Sequence, residues 1–341
     1  MDLTTLWFVV IAFLWIGYFV LEGFDFGVGM LVPVLGRSDA ERRVVLNTIG
    51  PHFDGNEVWV LVAGGATFAA FPEWYATLFS GFYLPLLLVL VALILRLVAI
   101  DYRSKRRELA WRRRWDVVIV VGSAVPALLW GVTFGNIVRG VPIDAGREYV
   151  GGFWNLLNPF ALLAGMVTLS LFLTHGAVFV ALKTEGDVRK RAARVGGRFG
   201  WVALVLTAVL VLWLALTQRS LPGNALGVAA TAALLGGVGA SRRGREGWAF
   251  VGTAASIALV FAATFVVLFP AVLPSSLDPA WSLTTTNASS TPYTLTIMTV
   301  AAAVLTPVVL AYQAWTYWVF RRRISLASIA DDVVLPRRTA T

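Results

Sequence analysis

The sequence predicts an all-α integral membrane protein of about nine transmembrane helices, with its amino terminus outside and its carboxyl terminus in the cytoplasm. Three observations lead there. The 341 residues are 58% hydrophobic and only 14% charged, beyond the apolar content of ordinary soluble domains. Long charge-poor runs recur, each near the roughly 20 residues that a bilayer core of about 30 Å requires. The basic residues, finally, alternate from loop to loop.

The runs lie at about 7–31, 57–72, 75–98, 117–137, 155–182, 199–217, 224–240, 248–270 and 294–320. The second can extend back through Asn56 and Asp54, and the seventh, Asn224 to Ala240, is short and rich in glycine. Without the seventh the charge pattern would fail. Arg37, Arg42 and Arg43 follow helix one, Arg103 to Arg114 follow helix three, Lys183 to Arg198 follow helix five, and Arg242, Arg243 and Arg245 follow helix seven. The tail adds Arg321 to Arg323, Arg337 and Arg338. Of 28 basic residues, all but Arg139, Arg147 and Arg219 fall on this one side, with Arg96 at the inner end of helix three counted among them. That side is cytoplasmic by the positive-inside rule.

The connections are too short for a soluble unit, so residues 1–341 read as a single membrane domain. Helices one to four (about 7–137) and five to eight (about 155–270) form two four-helix bundles in this reading, and helix nine (about 294–320) is an addition. Residues 271–293, rich in Pro, Ser and Thr, read as an ordered outer loop. Trp74, Tyr75, Trp281, Tyr312, Trp315, Tyr317 and Trp318 fit an interfacial aromatic belt, without a chemical role.

The net charge of +9 does not point to nucleic acid, because it sits in short loops beside helices, where insertion topology and anionic lipid account for it. Cysteine is absent, which excludes disulfides, iron–sulfur clusters and thiolate metal sites. The first run is too long, and too acidic at Glu22 and Asp25, for a cleaved signal. Phosphate-loop, zinc-hydrolase and serine-hydrolase motifs do not occur, so the polypeptide is expected to catalyse nothing alone.

Ionisable residues at bilayer depth are costly, so each needs a partner, a cavity or a task. Glu22 and Asp25 stand three apart on helix one, within LEGFDFGVGM (residues 21–30). IGPHFDGNEVW (residues 49–59) packs His52, Asp54, Asn56 and Glu57 into six positions. At 1.5 Å per residue, Asp25 lies about 15 Å and Asp54 about 10 Å from the basic face. Such a file can pass protons, since desolvated carboxyls titrate nearer neutrality. It can equally be a structural polar network with Arg96 as counter-ion. Haem ligands are scarce: two His, His52 and His175, and four Met. His175 reads as a satisfied polar group in a helix interface.

GFDFGVGM (23–30), RRVVLNTIGPHFDGNEVW (42–59) and GGATFAAFPEWYA (64–76) closely resemble subunit II of the cytochrome bd quinol oxidases. The likeness continues through DYRSK (101–105), WRRRWD (111–116), FGNIVRGVP (134–142), LNPFALLAG (157–165), LPSSLDPAWSLTTTNASSTPYTLTIMT (273–299) and YQAWTYWVF (312–320). It is weakest over about 186–245. The resemblance implies a multi-pass subunit of the bacterial inner membrane, partnered by a haem-bearing subunit I, with small single-helix accessory subunits in some members. Haems b and d are expected on subunit I, not on this chain, and a quinone held between the helices would be structural. Asp25 and Asp54 match acids assigned in the family to a proton path from the cytoplasm, accompanied by Glu22, His52, Asn56 and Glu57. Glu57 replaces what is commonly Gln elsewhere. A proton-coupled transporter is the rival reading. It is disfavoured by the lack of Gly or Pro breaks at matching mid-membrane positions in the two halves.

Overall fold

In the computed structural model, which describes residues 2–218 and 220–327, nearly every element is helical. Arg219, Arg337 and Arg338 lie outside the described residues. The helices are α1 (Leu3–Leu35), α2 (Asp39–Asn47), α3 (Phe53–Ala70), α4 (Pro72–Gly81), α5 (Tyr83–Arg103), α6 (Leu109–Arg139), α7 (Gly152–Asn155), α8 (Pro159–Lys183), α9 (Gly186–Gln218), α10 (Leu221–Arg242), α11 (Glu246–Leu268) and α12 (Pro292–Val319). Eight of these, all but α2, α3, α4 and α7, are long and apolar enough to cross a membrane. The fold class, an all-α multi-pass membrane protein, is the one the sequence predicts, with eight such spans among the described residues where the sequence leads to about nine.

Local chemistry sets the helix starts. Asp2, Ser38, Asn158, Ser220 and Thr291 each cap a helix by accepting a backbone N–H of its first turn. Pro159 and Pro292 then open their helices where no N–H is needed. The reversals into α9 and α11 use Gly186 (φ 64°) and Gly244 (φ 71°), conformations that a Cβ would strain.

Several boundaries differ from the sequence reading. The third span, expected at 75–98, is divided: α4 ends at Gly81 and α5 begins at Tyr83 and runs on to Arg103. The cause is Pro85, whose ring would collide with the Gly81 carbonyl four residues back. Arg96 is therefore not at a helix end but two turns inside α5, about 10 Å from it. The basic segments 103–114 and 183–198, expected as loops, are largely helical, because α6 and α9 start at Leu109 and Gly186. Arg, Lys and Ala are good helix formers, and a backbone need not unwind where its side chains become polar. The sequence reads the segment that forms the amphipathic α2 as a loop.

α1 lies at the centre, packed on α3, α6, α8 and α11, and α8 in turn packs on α6, α9 and α11. Gly27 and Gly176 let α1 and α8 cross backbone to backbone: a Cβ on Gly27 would fall 1.9 Å from the Phe172 carbonyl oxygen. α10 pairs with α9 and α11, and α5 with α6. α12 rests on α1 and α3 and is otherwise exposed along its length. The 271–293 segment is ordered as expected, with β1 (Ala271–Leu273) antiparallel to β2 (Leu283–Thr284) and Ser275 Oγ donating to the Ile143 carbonyl at 2.8 Å. Trp74 is not a belt residue but part of the core, 2% exposed against Phe71.

Candidate functional site

The glycine-rich stretch of α1 brings Glu22 and Asp25 inside the helix cluster, both wholly buried. Across from them α5 contributes Arg96, 1% exposed, whose approach to α6 is allowed by Gly122; a Cβ there would come within 2.9 Å of the Arg96 Cβ. Arg96 Nη2 forms an ion pair with Glu22 Oε1 and lies 3.5 Å from Glu57 Oε2 on α3. Its guanidinium carbon sits 4.7 Å from the centre of the Phe26 ring. The sequence reading of Arg96 as counter-ion thus has a matching geometry, and Glu57 joins it.

Asp25 belongs to an adjoining set. Asn56 Nδ2 donates to Asp25 Oδ2 at 2.7 Å. Asn56 Oδ1 accepts from Tyr317 Oη at 2.9 Å and from Gln313 Nε2 at 3.0 Å, both on α12. Gln313 Oε1 accepts from Trp59 Nε1 at 2.8 Å. The sequence does not mark Trp59, Gln313 or Tyr317 as part of the site, and it places Tyr317 in the interfacial aromatic belt. Nothing in α12 marks it locally, since Gln313 is uncharged and its neighbours are those of an interfacial segment.

Electrostatics separate what is compensated from what is not. At about 4 Å and an effective dielectric near 20, one ion pair is worth about 4 kcal/mol, against several kcal/mol for taking each charge out of water. One guanidinium therefore cannot offset three carboxylates, Glu22, Asp25 and Glu57, all ionised. Among the described residues, Glu22 Oε2, Asp25 Oδ1, Glu57 Oε2, and Arg96 Nε and Nη1 are buried with no hydrogen-bond partner. The carboxyl oxygens of this set can bind a proton; the guanidinium can only donate.

Asp54 departs from expectation. It is exposed on the opposite side of α3 from Asn56, because two residues at 3.6 per turn are about 200° apart. It shares a face with Glu57 three residues on, and both border a groove of about 740 Å³ between α3 and α5, otherwise lined by apolar residues such as Val58, Leu61, Leu90 and Leu97. His52 is buried and pairs with no acid among the described residues; its ring stacks on Tyr317 at 4.2 Å and meets Phe320 edge-on. His175 uses both ring nitrogens: Nε2 lies 3.3 Å from the Val20 carbonyl, which can only accept, so Nδ1 accepts from Thr253 Oγ1 at 2.7 Å.

Below this centre, Asp116 is buried between Arg103 Nε (2.6 Å) and Arg42 Nη1 (2.8 Å), while Asp39 bridges Arg103 and Arg112. This cluster joins α2, α5 and α6. DYRSK and WRRRWD carry three of its five residues.

Fold and site define a multi-pass helical membrane protein with a buried glutamate–arginine pair and a second buried carboxylate beside it. Residues 3–320 match the family described as cytochrome bd terminal oxidase subunit II. The chain is 41% identical over 329 residues to the cytochrome bd ubiquinol oxidase subunit 2 of Bacillus subtilis (strain 168), covering 95% of this chain and 97% of the relative. It is 37% identical over 362 residues to the cytochrome bd-I ubiquinol oxidase subunit 2 of Escherichia coli (strain K12), covering 95% and 96%. A chain in the structure of bd oxidase from Geobacillus thermodenitrificans superposes with a TM-score of 0.75 at 15% identity, covering 93% of this chain and 98% of that one, which is a likeness of fold. This chain belongs to the cytochrome bd terminal oxidase subunit II family, and is a multi-pass protein of the bacterial inner membrane.

Proposed function

We propose that this chain supports a haem-bearing subunit I and delivers cytoplasmic protons toward it for the reduction of oxygen to water. The observation that carries the reading is the buried Glu22–Arg96 pair, with the half-buried Glu57 3.5 Å from the same guanidinium on one side and the buried Asp25, held by Asn56, adjoining it. Asp54, exposed on the α3–α5 groove, is the entry group; Glu57, on the same face, is next, and Glu22 and Asp25 receive the proton beyond it. His52 and Asn56 shape the path without carrying charge through it.

In this reading α3 crosses as the ninth span, α1 to α6 and α8 to α11 make the two bundles, and α12 is the additional helix. The amino terminus is outside and the basic face cytoplasmic, so protons enter from the side that Arg37, Arg43 and the start of α9 occupy. Haems b and d reside on subunit I, where quinol is oxidised and oxygen reduced. This chain ligates none and turns nothing over alone. A quinone held structurally between its helices and small single-helix accessory subunits complete the assembly. Proton release from quinol at the outer face, with uptake from the cytoplasm, generates membrane potential without a pump.

The test replaces Asp54 by Asn in the intact complex with normal haem content. Oxygen consumption with quinol is expected to fall, and charge separation in proteoliposomes with it. Unchanged turnover and charge separation would mean that these acids form a structural network only.

A further inference from the structure

Each hydrogen bond around Asp25 has its direction set by a group that cannot reverse. The Trp59 indole N–H only donates, so the Gln313 oxygen must face it, 2.8 Å away. The Gln313 amide then turns its NH2 to Asn56, 3.0 Å away, which obliges Asn56 to present its oxygen. Tyr317 Oη, 2.9 Å from the same oxygen, donates to it as well. Asn56 is left with its NH2 toward α1, where it donates to Asp25 Oδ2 at 2.7 Å; the Leu21 carbonyl lies 3.4 Å from the same nitrogen. Asn56 is fully buried and Trp59 nearly so, at 8% exposure. An amide in such a position that could flip would offer Asp25 a carbonyl instead of a donor.

We propose that Trp59, Gln313 and Tyr317 are positioning residues that fix the Asn56 amide, so that Asp25 Oδ2 is permanently occupied and Asp25 Oδ1 alone takes up and releases the proton. Oδ2 is the oxygen that accepts from Asn56, whereas Oδ1 has no hydrogen-bond partner among the described residues. Gln313 and Tyr317 come from α12, which touches little else, so the docking of this one helix sets the proton-bearing atom of a residue on α1. The inference rests on the proposed proton path and adds to it the residues that orient its central acid.

Two donors converge on Asn56 Oδ1, so they substitute for one another. In the intact complex, Tyr317→Phe or Gln313→Leu alone is expected to lower quinol-driven oxygen consumption about twofold, and the double variant about tenfold, the loss expected when a hydrogen bond to a charged group is no longer held. Trp59→Phe keeps the ring and frees Gln313 to turn. Infrared difference spectra give a readout that packing alone would not move. The carboxyl C=O band that vanishes in Asp25→Asn is expected to shift in Trp59→Phe and in the double variant, with haem content unchanged by visible spectrum. Loss of turnover in Asp25→Asn, together with an unmoved band and additive twofold losses in the double variant, would overturn the positioning role and leave the path standing. Full turnover in Asp25→Asn would overturn the path itself. Should the double variant fail to assemble, the band in Trp59→Phe decides: a shift supports positioning, and an unmoved band overturns it.

Discussion

Arg96 on α5 and Glu22 on α1 form an ion pair sealed from solvent, their side chains 1% and 0% exposed. Two helices whose paired residues are 74 positions apart in sequence are thereby tied through a pair closed to solvent. Glu57 stands 3.5 Å from the same guanidinium and shares its charge.

Removing one partner should cost more than removing both. Arg96→Met leaves Glu22 and Glu57 without a counter-ion and is expected to destabilise by about 3–5 kcal/mol, as for other broken buried pairs. Adding Glu22→Gln to Arg96→Met should recover part of that loss, because less buried charge is then orphaned. Thermal unfolding of the purified complex measures both. A double variant no more stable than Arg96→Met would show that the ion pair is not what the site depends on.

Glu57→Gln removes a carboxylate whose distance to Arg96 exceeds that of a hydrogen bond, and Glu22 keeps the guanidinium paired. Assembly and melting temperature should change little, while turnover falls about as far as in Asp54→Asn, because Glu57 is the next group on the proposed path. A collapse of haem content in Glu57→Gln would show that its role is structural.

The crossing of α1 and α8 leaves no room at Gly27 or Gly176, where an added Cβ would lie 1.9 Å from the Phe172 carbonyl oxygen or 2.4 Å from the Gly27 carbonyl carbon. Gly27→Ala is expected to cost about 1–3 kcal/mol through overpacking. Gly64→Ala, with open space around its Cβ position, serves as the control and should be tolerated. Equal melting temperatures for the two variants would contradict the packing described for α1.

Glu41 on α2 links the two halves at their basic end. Its carboxylate pairs with Arg191 Nη2 at 2.7 Å, and Arg191 Nε donates to the Leu35 carbonyl. Partial burial alone would raise the Glu41 pKa, but the Arg191 guanidinium and the Arg37 backbone N–H outweigh it and hold it below the ordinary value of 4.5. A lowered carboxyl pKa gives stability that is complete above the unfolded value and lost as pH falls through the folded one. The stability difference between the wild-type protein and Glu41→Gln should therefore be constant above about pH 4.5 and shrink below it. A difference that grows on acidification would reverse the assigned sign.

Much of the fold was legible because membrane helices announce themselves by length and apolarity, and α8, α10 and α11 fall close to their expected spans. Boundaries were lost where composition and backbone part company: α9 continues through Arg189, Lys190, Arg191 and Arg194, which hydropathy reads as loop. Glu22, Asp25 and Arg96 stood out because charges in apolar runs are rare, and the structure brings Glu22 and Arg96 together. The α3 acids cannot be assigned to faces without the exact helix start, so the sequence places Asp54 in a buried file while the structure leaves it exposed. Gln313 and Tyr317 were invisible for another reason. They are separated from Asn56 by more than 250 residues, and no local pattern shows that α12 returns to α3.

The central claim is that Asp25 carries protons taken from the cytoplasmic side. Quinol-driven oxygen consumption by the Asp25→Asn complex, purified with its full haem complement and reconstituted in proteoliposomes, tests it most directly. A neutral amide there should slow turnover by about a hundredfold, the lower end of what a positioned proton-transfer group contributes. Wild-type turnover with wild-type charge separation would contradict it.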